Sequence, residues 1–192
     1  MKWNDKYSIF FKLAMEDVLK HEGGFTVDHA GETNYGISLR FLKTLDKDWD
    51  GDGWLDGDIN QDGFIDPKDI KGMTEELAVE LYYNQWWARN DYDRIEDVHI
   101  ACKVMDFAVN MGSKRCHLLL QESTIGLTGR KNQLKVDGIV GPKTISVINT
   151  VNPRELLLCF QCRAHGFYDY LAKSNPNKFG RFLEGWLNRV YD

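Results

Sequence analysis

Nine aspartates and only two lysines (Lys47, Lys68) fall within residues 46–69. A stretch so dense in one charge cannot bury itself, so it splits the chain into a short N-terminal piece and a long C-terminal one that together must supply the core. The formal charge of the whole 192-residue chain is −5, and removing this segment leaves 22 basic against 20 acidic residues. Such a balance lacks the concentrated basic patch of a nucleic-acid-binding protein. A hydrophobic fraction of 43% is enough for one large core and too high for a disordered chain.

Outside the acidic segment the periodicity is helical, and the expected class is mainly α. Residues 8–22 read as an amphipathic helix with Ser8 as N-cap. Phe11, Met15, Val18 and Glu22 lie on one stripe, and Lys12, Glu16 and Lys20 on a polar one. Gly23-Gly24 stops the helix. Residues 25–38, with Gly31 and Gly36, suit a small hairpin or irregular lobe. Helical patterns then recur over 74–86, 100–111, 117–125, 142–149, 153–173 and 178–191. Thr74 caps the first, with Leu77, Leu81, Tyr82 and Trp86 as its apolar stripe, and Pro142 opens the fourth. Tyr82, Tyr83, Trp86 and Trp87 at helical spacing read mainly as core. No run approaches the length of a membrane span, and the opening residues, with Asp5, Lys6 and Lys12, do not read as a signal peptide. We expect regions 1–97 and 98–192, packed as one globular domain, with residues 46–69 inserted in the first. Cys102, Cys116, Cys159 and Cys162 are expected as free thiols, with Cys159 and Cys162 on a buried helix face.

The acidic segment contains a calcium-loop pattern. Asp58, Asn60 and Asp62 stand at positions 1, 3 and 5, Gly63 at the turn, Phe64 at a carbonyl-donating position, and Asp66 and Asp69 at positions 9 and 12. Ile65 anchors the loop. Asp at position 12 in place of Glu shortens the reach, as in dockerin-type loops. Upstream, Asp48, Asp50, Asp52 and Asp56 begin the same pattern, which runs out at Ile59. One calcium site is expected, two are conceivable, and the role is structural, since a metal that binds only the folded form adds to its stability. A dockerin-like protein-docking module is an alternative function for the chain, against which only one of the two loops is complete.

Glu22 ends the apolar stripe of the first helix. A carboxyl set against apolar neighbours resists ionisation, which suits a general acid near neutral pH. Asn110 is a polar amide on an otherwise apolar helix and must hydrogen-bond something, either substrate or protein.

His21-Glu22-Gly23-Gly24-Phe25 followed by Gly31-Glu32-Thr33-Asn34-Tyr35-Gly36-Ile37-Ser38 resembles the signature of glycoside hydrolase family 108. These lysozyme-like muramidases occur in phage endolysins and bacterial secretion-activator proteins. Asp106-Phe107-Ala108-Val109-Asn110-Met111-Gly112, the run from Val136 to Thr144, and Gly185-Trp186-Leu187-Asn188-Arg189-Val190 are similar to the peptidoglycan-binding region that accompanies the family. The resemblance implies a lysozyme-like helical domain that cleaves the β-1,4 bond between N-acetylmuramic acid and N-acetylglucosamine. It implies Glu22 as the acid. Asp28 and Glu32 are both candidates for the second carboxylate; Asp28 is favoured because it better matches the polar residue between Glu and Thr in related lysozymes. Thr33 is a candidate to position water, and Tyr35 to line the sugar site. A one-acid or transglycosylase-like mechanism stays open, as does a non-catalytic, secretion-assisting role. With no export signal expected, reaching the wall implies a holin or a dedicated secretion route.

Overall fold

The computed structural model describes residues 3, 6–22, 25–28, 31–48, 51–129 and 134–192, together with the backbone but not the side chain of Asp28. Helix α1 (Ile9–His21) starts where Ser8 Oγ accepts the Phe11 N–H at 3.2 Å. It buries Phe11, Ala14, Met15 and Val18 completely. Lys12, expected on the polar face, is also buried. Glu22 is the C-cap, its backbone extended and its N–H still bonded to Val18 O at 3.1 Å.

The expected lobe is a three-stranded antiparallel sheet, β1 (Thr26–Asp28), β2 (Gly31–Asn34) and β3 (Ile37–Ser38), in that order. Tyr35 and Gly36 form the two-residue turn between β2 and β3, with φ of 48° and 76°. Two consecutive positive φ values match the right-handed twist of a tight hairpin. Asn34 Nδ2 donates to Ile70 O and Met73 O at 3.1 and 3.3 Å, tying the sheet to α3 (Pro67–Gly72). Ser38 caps α2 (Leu39–Leu42), which leads into the acidic segment.

Helix α4 (Glu75–Tyr82) is capped by Thr74 and continues as a π-helical turn, Tyr83–Trp87. The wider turn shifts the register of the aromatic pair at its end. Trp87 is fully buried, edge-on to Phe11 and Tyr92, while half-buried Trp86 packs on Phe41 and Tyr82. Leu77, expected in the apolar stripe, is 36% exposed at its edge.

The rest is helical: α5 (Val98–Met111), α6 (Ser113–Thr128), α7 (Pro142–Ile148), α8 (Pro153–Ser174), α9 (Pro176–Phe179) and α10 (Leu183–Tyr191). Helix α5 packs along α1 on one side and against α6 and α8 on the other; α10 lies on α8. The expected single helix over 178–191 is instead broken at Gly180–Phe182 by a 3-10 turn. The buried stripe of α8 is Leu156, Phe160, Ala164, Tyr168 and Ala172. Cys159 and Cys162 lie off that stripe, half-buried and exposed, which corrects the expectation of a buried pair. Both are free thiols, as are Cys102 and Cys116.

The Asp137-Gly138-Ile139 run has a structural part to play. Gln121 Oε1 accepts the N–H groups of Asp137 and Gly138 at 3.0 and 2.8 Å, and Gln121 Nε2 donates to Asp137 Oδ1 and Ile139 O. His117 Nδ1 faces Gly138 O at 3.0 Å, so that nitrogen carries the proton and Nε2 accepts from the Tyr92 phenol at 2.6 Å. Burial lowers the His117 pKa and keeps the ring neutral. Among the described residues no helix is long and apolar enough to cross a membrane.

Candidate active site

The Glu22 backbone is extended at the end of α1, and its side chain points into a junction of α1, the β2–β3 turn, α4, α5 and α10. Its Oε1 accepts from Arg189 Nη2 at 2.8 Å, and the side chain is only 20% exposed. Arg189 Nε donates to Asp106 Oδ1 at 2.7 Å, so one guanidinium joins two carboxylates. The surroundings of Glu22 therefore differ from the apolar ones expected: the stripe of α1 is buried as anticipated, but a cation from the far end of the chain meets the carboxyl at its tip. Lys103 holds the arrangement, donating to Arg189 O at 3.0 Å with its ammonium 3.8 Å from Asp106 Oδ2. Burial outweighs these two cations and pushes the Asp106 carboxyl above the usual carboxylate range.

Gly36 packs directly on this carboxyl. A Cβ built there would sit 2.6 Å from Glu22 Oε2 and 2.4 Å from Tyr82 Oη. Tyr82 donates to Tyr35 O at 3.0 Å, and burial raises its pKa far above the ordinary value, so the phenol keeps its proton. The turn, Tyr82 and Glu22 thus form one packed unit.

The register places the other candidates. Thr33 pairs with Thr26 and Ser38, and Asp28 with Gly31, so Asp28 and Thr33 belong to the same alternating face of the sheet. Glu32 is on the opposite face with Asn34, 3.7 Å from Lys71 of α3. Tyr35 is half-buried against the core, and its backbone carbonyl serves Tyr82. Asn110 Oδ1 accepts the Tyr168 hydroxyl at 2.6 Å, and Tyr168 stacks on Trp186.

A groove of about 770 Å³ runs from Phe41 and Trp86 past Asn90 and Val109 to Gly112 and Ile139. Trp86, which lines it, packs on Tyr82 with ring centroids 5.2 Å apart, and Glu22 is not among the lining residues. A second groove, about 720 Å³, lies between Trp54 and Asp58 of the acidic segment and Leu81 of α4, and shares Gln85 and Arg89 with the first.

Within the acidic segment, Asp58 accepts the N–H groups of Asp62 and Gly63 at 3.1 and 2.7 Å, and Asp62 Oδ1 accepts that of Phe64 at 3.1 Å. The upstream copy does the same: Asp48 accepts from Gly51 and Gly53, and Asp52 from Trp54. Asn60 Oδ1 takes the Asp62 N–H at 3.0 Å, and Asp66 and Asp69 form a capping box at the start of α3. The Lys68 ammonium stands 3.0 Å from Asp62 Oδ2 and 3.6 Å from Asp66 Oδ2. Asp56 folds back through its N–H to Lys47 O at 3.0 Å. Among the described residues no group of three or more His, Cys, Asp or Glu side chains converges as a metal site; Asp50 lies outside them.

In the sequence Asp106 and Arg189 stand only within the motifs that resemble the wall-binding region, and Tyr82 only within an apolar stripe. A signal for Arg189 existed: it sits beside buried Val190 on α10, three residues after Trp186, where an amphipathic helix presents its apolar face.

The whole arrangement is a lysozyme-like helical fold. It resembles the structure of Brucella abortus SagA with a TM-score of 0.70 and 23% identity, over 94% of this chain and 89% of that one. Residues 15–112 match the family model Glycosyl hydrolase 108, and residues 115–191 match Predicted Peptidoglycan domain. These matches define a glycoside hydrolase that acts on peptidoglycan. The chain belongs to glycosyl hydrolase family 108. No curated protein matches it.

Proposed function

We propose that the protein cleaves the β-1,4 bond between N-acetylmuramic acid and N-acetylglucosamine, with Glu22 protonating the bridging oxygen. The observation that carries this reading is a part-buried carboxyl, held by Arg189 and packed on Gly36, within the residues matched to the glycosyl hydrolase model. Thr33 and Asp28, which share a sheet face, are the proposed water-positioning residue and second carboxylate; Glu32 is engaged by Lys71 on the other face. The Tyr35 ring borders the sugar site, and Asn110, its carbonyl taken by Tyr168, offers its amide N–H groups to the glycan.

Mass spectrometry of digested sacculi tests the assignment. Muramic acid at new reducing ends is the expected product. Reducing-end glucosamine or anhydromuramic acid would move the cut or the mechanism, and an intact glycan would leave only wall binding.

The acidic segment is proposed to hold one structural calcium ion, through oxygens of Asp58, Asn60, Asp62, Phe64, Asp66 and Asp69. The support is the loop pattern and the matching way the segments from Asp48 and Asp58 wrap their backbone. Lys68 must swing away from Asp62 when the ion enters, which its exposed side chain permits. A chelator should lower the melting temperature by about 5–10 °C, from calcium at about 100 times its Kd. The Asp58→Ala variant should melt at one temperature with or without calcium. A wild-type curve indifferent to chelation refutes the site.

A further inference from the structure

The charged cluster behind Glu22 draws on both matched regions. Glu22 and Asp106 lie within residues 15–112, whereas Arg189 belongs to α10, inside the region 115–191 matched to the peptidoglycan domain. Helix α10 is fixed from two sides, by Lys103 on Arg189 O at 3.0 Å and by Gln161 Nε2 on Val190 O at 2.7 Å. The guanidinium is 7% exposed and its Nε and Nη2 edges are committed to different carboxylates. An arginine this enclosed has little rotamer freedom, so the Glu22 carboxyl it grips has one orientation.

We infer that Arg189 and Asp106 are positioning residues for the reaction: Arg189 aims the Glu22 carboxyl, and Asp106 balances the Arg189 charge so that Glu22 can still carry a proton. The inference rests on the reading of Glu22 as the acid. An arginine beside a general acid works against it, because the cation favours the ionised carboxylate. A second carboxylate on the same guanidinium removes much of that bias. Asp106 is placed for this, 2% exposed, with Oδ1 on Arg189 and Oδ2 without a hydrogen-bond partner, facing the Lys103 ammonium at 3.8 Å. Among the described residues, Tyr82 on α4, a phenol that stays neutral, also faces Glu22, and His21 ends α1 with its ring 3.8 Å from the Asp192 carboxylate. On this account the C-terminal region is part of the catalytic machinery and not only a wall anchor.

The two partners act on the Glu22 proton in opposite senses, and a purely structural role cannot reproduce that. Initial rates on purified sacculi are measured against pH for wild type, Asp106→Asn, Arg189→Met and Arg189→Lys, with Glu22→Gln alongside. Neutralising Asp106 frees the arginine charge, and the alkaline limb of activity should move to lower pH by about one unit. Arg189→Met leaves two carboxylates without their cation, and the limb should move to higher pH by about one unit, with a fall in kcat. Arg189→Lys should keep the limb near its wild-type position and lose kcat, because a single ammonium cannot grip both carboxylates. Limbs that stay put, or that move in the same direction, overturn the inference; should Arg189→Met not fold, the direction of the Asp106→Asn limb decides. If Glu22→Gln retains wild-type rates, the acid assignment itself has failed, whatever the limbs do.

Discussion

Glu22→Gln should lower the initial rate of peptidoglycan hydrolysis by about 10²–10⁴-fold and leave the protein folded. Glutamine has the same shape and its carbonyl can still accept from Arg189, whose other edge stays on Asp106. What is lost is the transferable proton. The stripe of Phe11, Ala14, Met15 and Val18 that fixes α1 is untouched, so circular dichroism and the melting curve should stay close to wild type. Turbidity loss of wall suspensions reads the rate. In the same assay Asp28→Asn should be more damaging than Glu32→Gln, because residue 28 shares the sheet face of Thr33 and Glu32 is turned toward Lys71. The reverse order would make Glu32 the second carboxylate, and a Glu22→Gln variant as fast as wild type would remove residue 22 from the chemistry.

What the sequence discloses and what it hides follow from the range of the interactions. Ser8 and Thr74 as caps, proline at the start of α7 and α8, and the buried stripe of α1 are legible because each depends on neighbours within about one turn. The end of α1 at Glu22 is local too, and so is the Gly36 turn, although the positive φ of Tyr35 is not announced by its side chain. Arg189 is different. It lies 167 residues from Glu22, and only the packing of α10 on α8, with Lys103 and Gln161 holding its last turn, makes them neighbours. The thiols of α8 are hard to place from sequence for a related reason. A helix with apolar residues on several sides offers more than one plausible stripe, and the partner helices α6 and α10 choose among them. The charge pattern of residues 46–69 is visible in sequence, while the partners of its carboxylates, backbone N–H groups and Lys68, are visible only in the fold.

Gly36→Ala should cause the other large loss, and it tests the packed turn against the acid. At φ of 76° an alanine is strained by roughly 1–2 kcal/mol. Its methyl would also fall 2.4 Å from Tyr82 Oη and 2.7 Å from Glu22 Cγ, so one of these groups or the turn itself has to move. Overpacking of this kind adds about 1–3 kcal/mol, and the two costs together lower the melting temperature of a chain of this size by about 5–15 °C. Tyr82 is boxed in by its bond to Tyr35 O and by the Trp86 ring, so Glu22, with solvent on one side, gives way. A displacement of about 1 Å in the proton donor is enough for a rate loss of about 10²-fold. Gly129→Ala is the control: its φ is 66°, the backbone strain is similar, and no described residue lies within 4 Å of the added methyl. It should lose stability alone, with the rate per folded molecule unchanged. If the two variants lose stability and rate in the same proportion, the turn does not set the position of Glu22; if Gly36→Ala alone loses rate at a temperature where both are folded, it does.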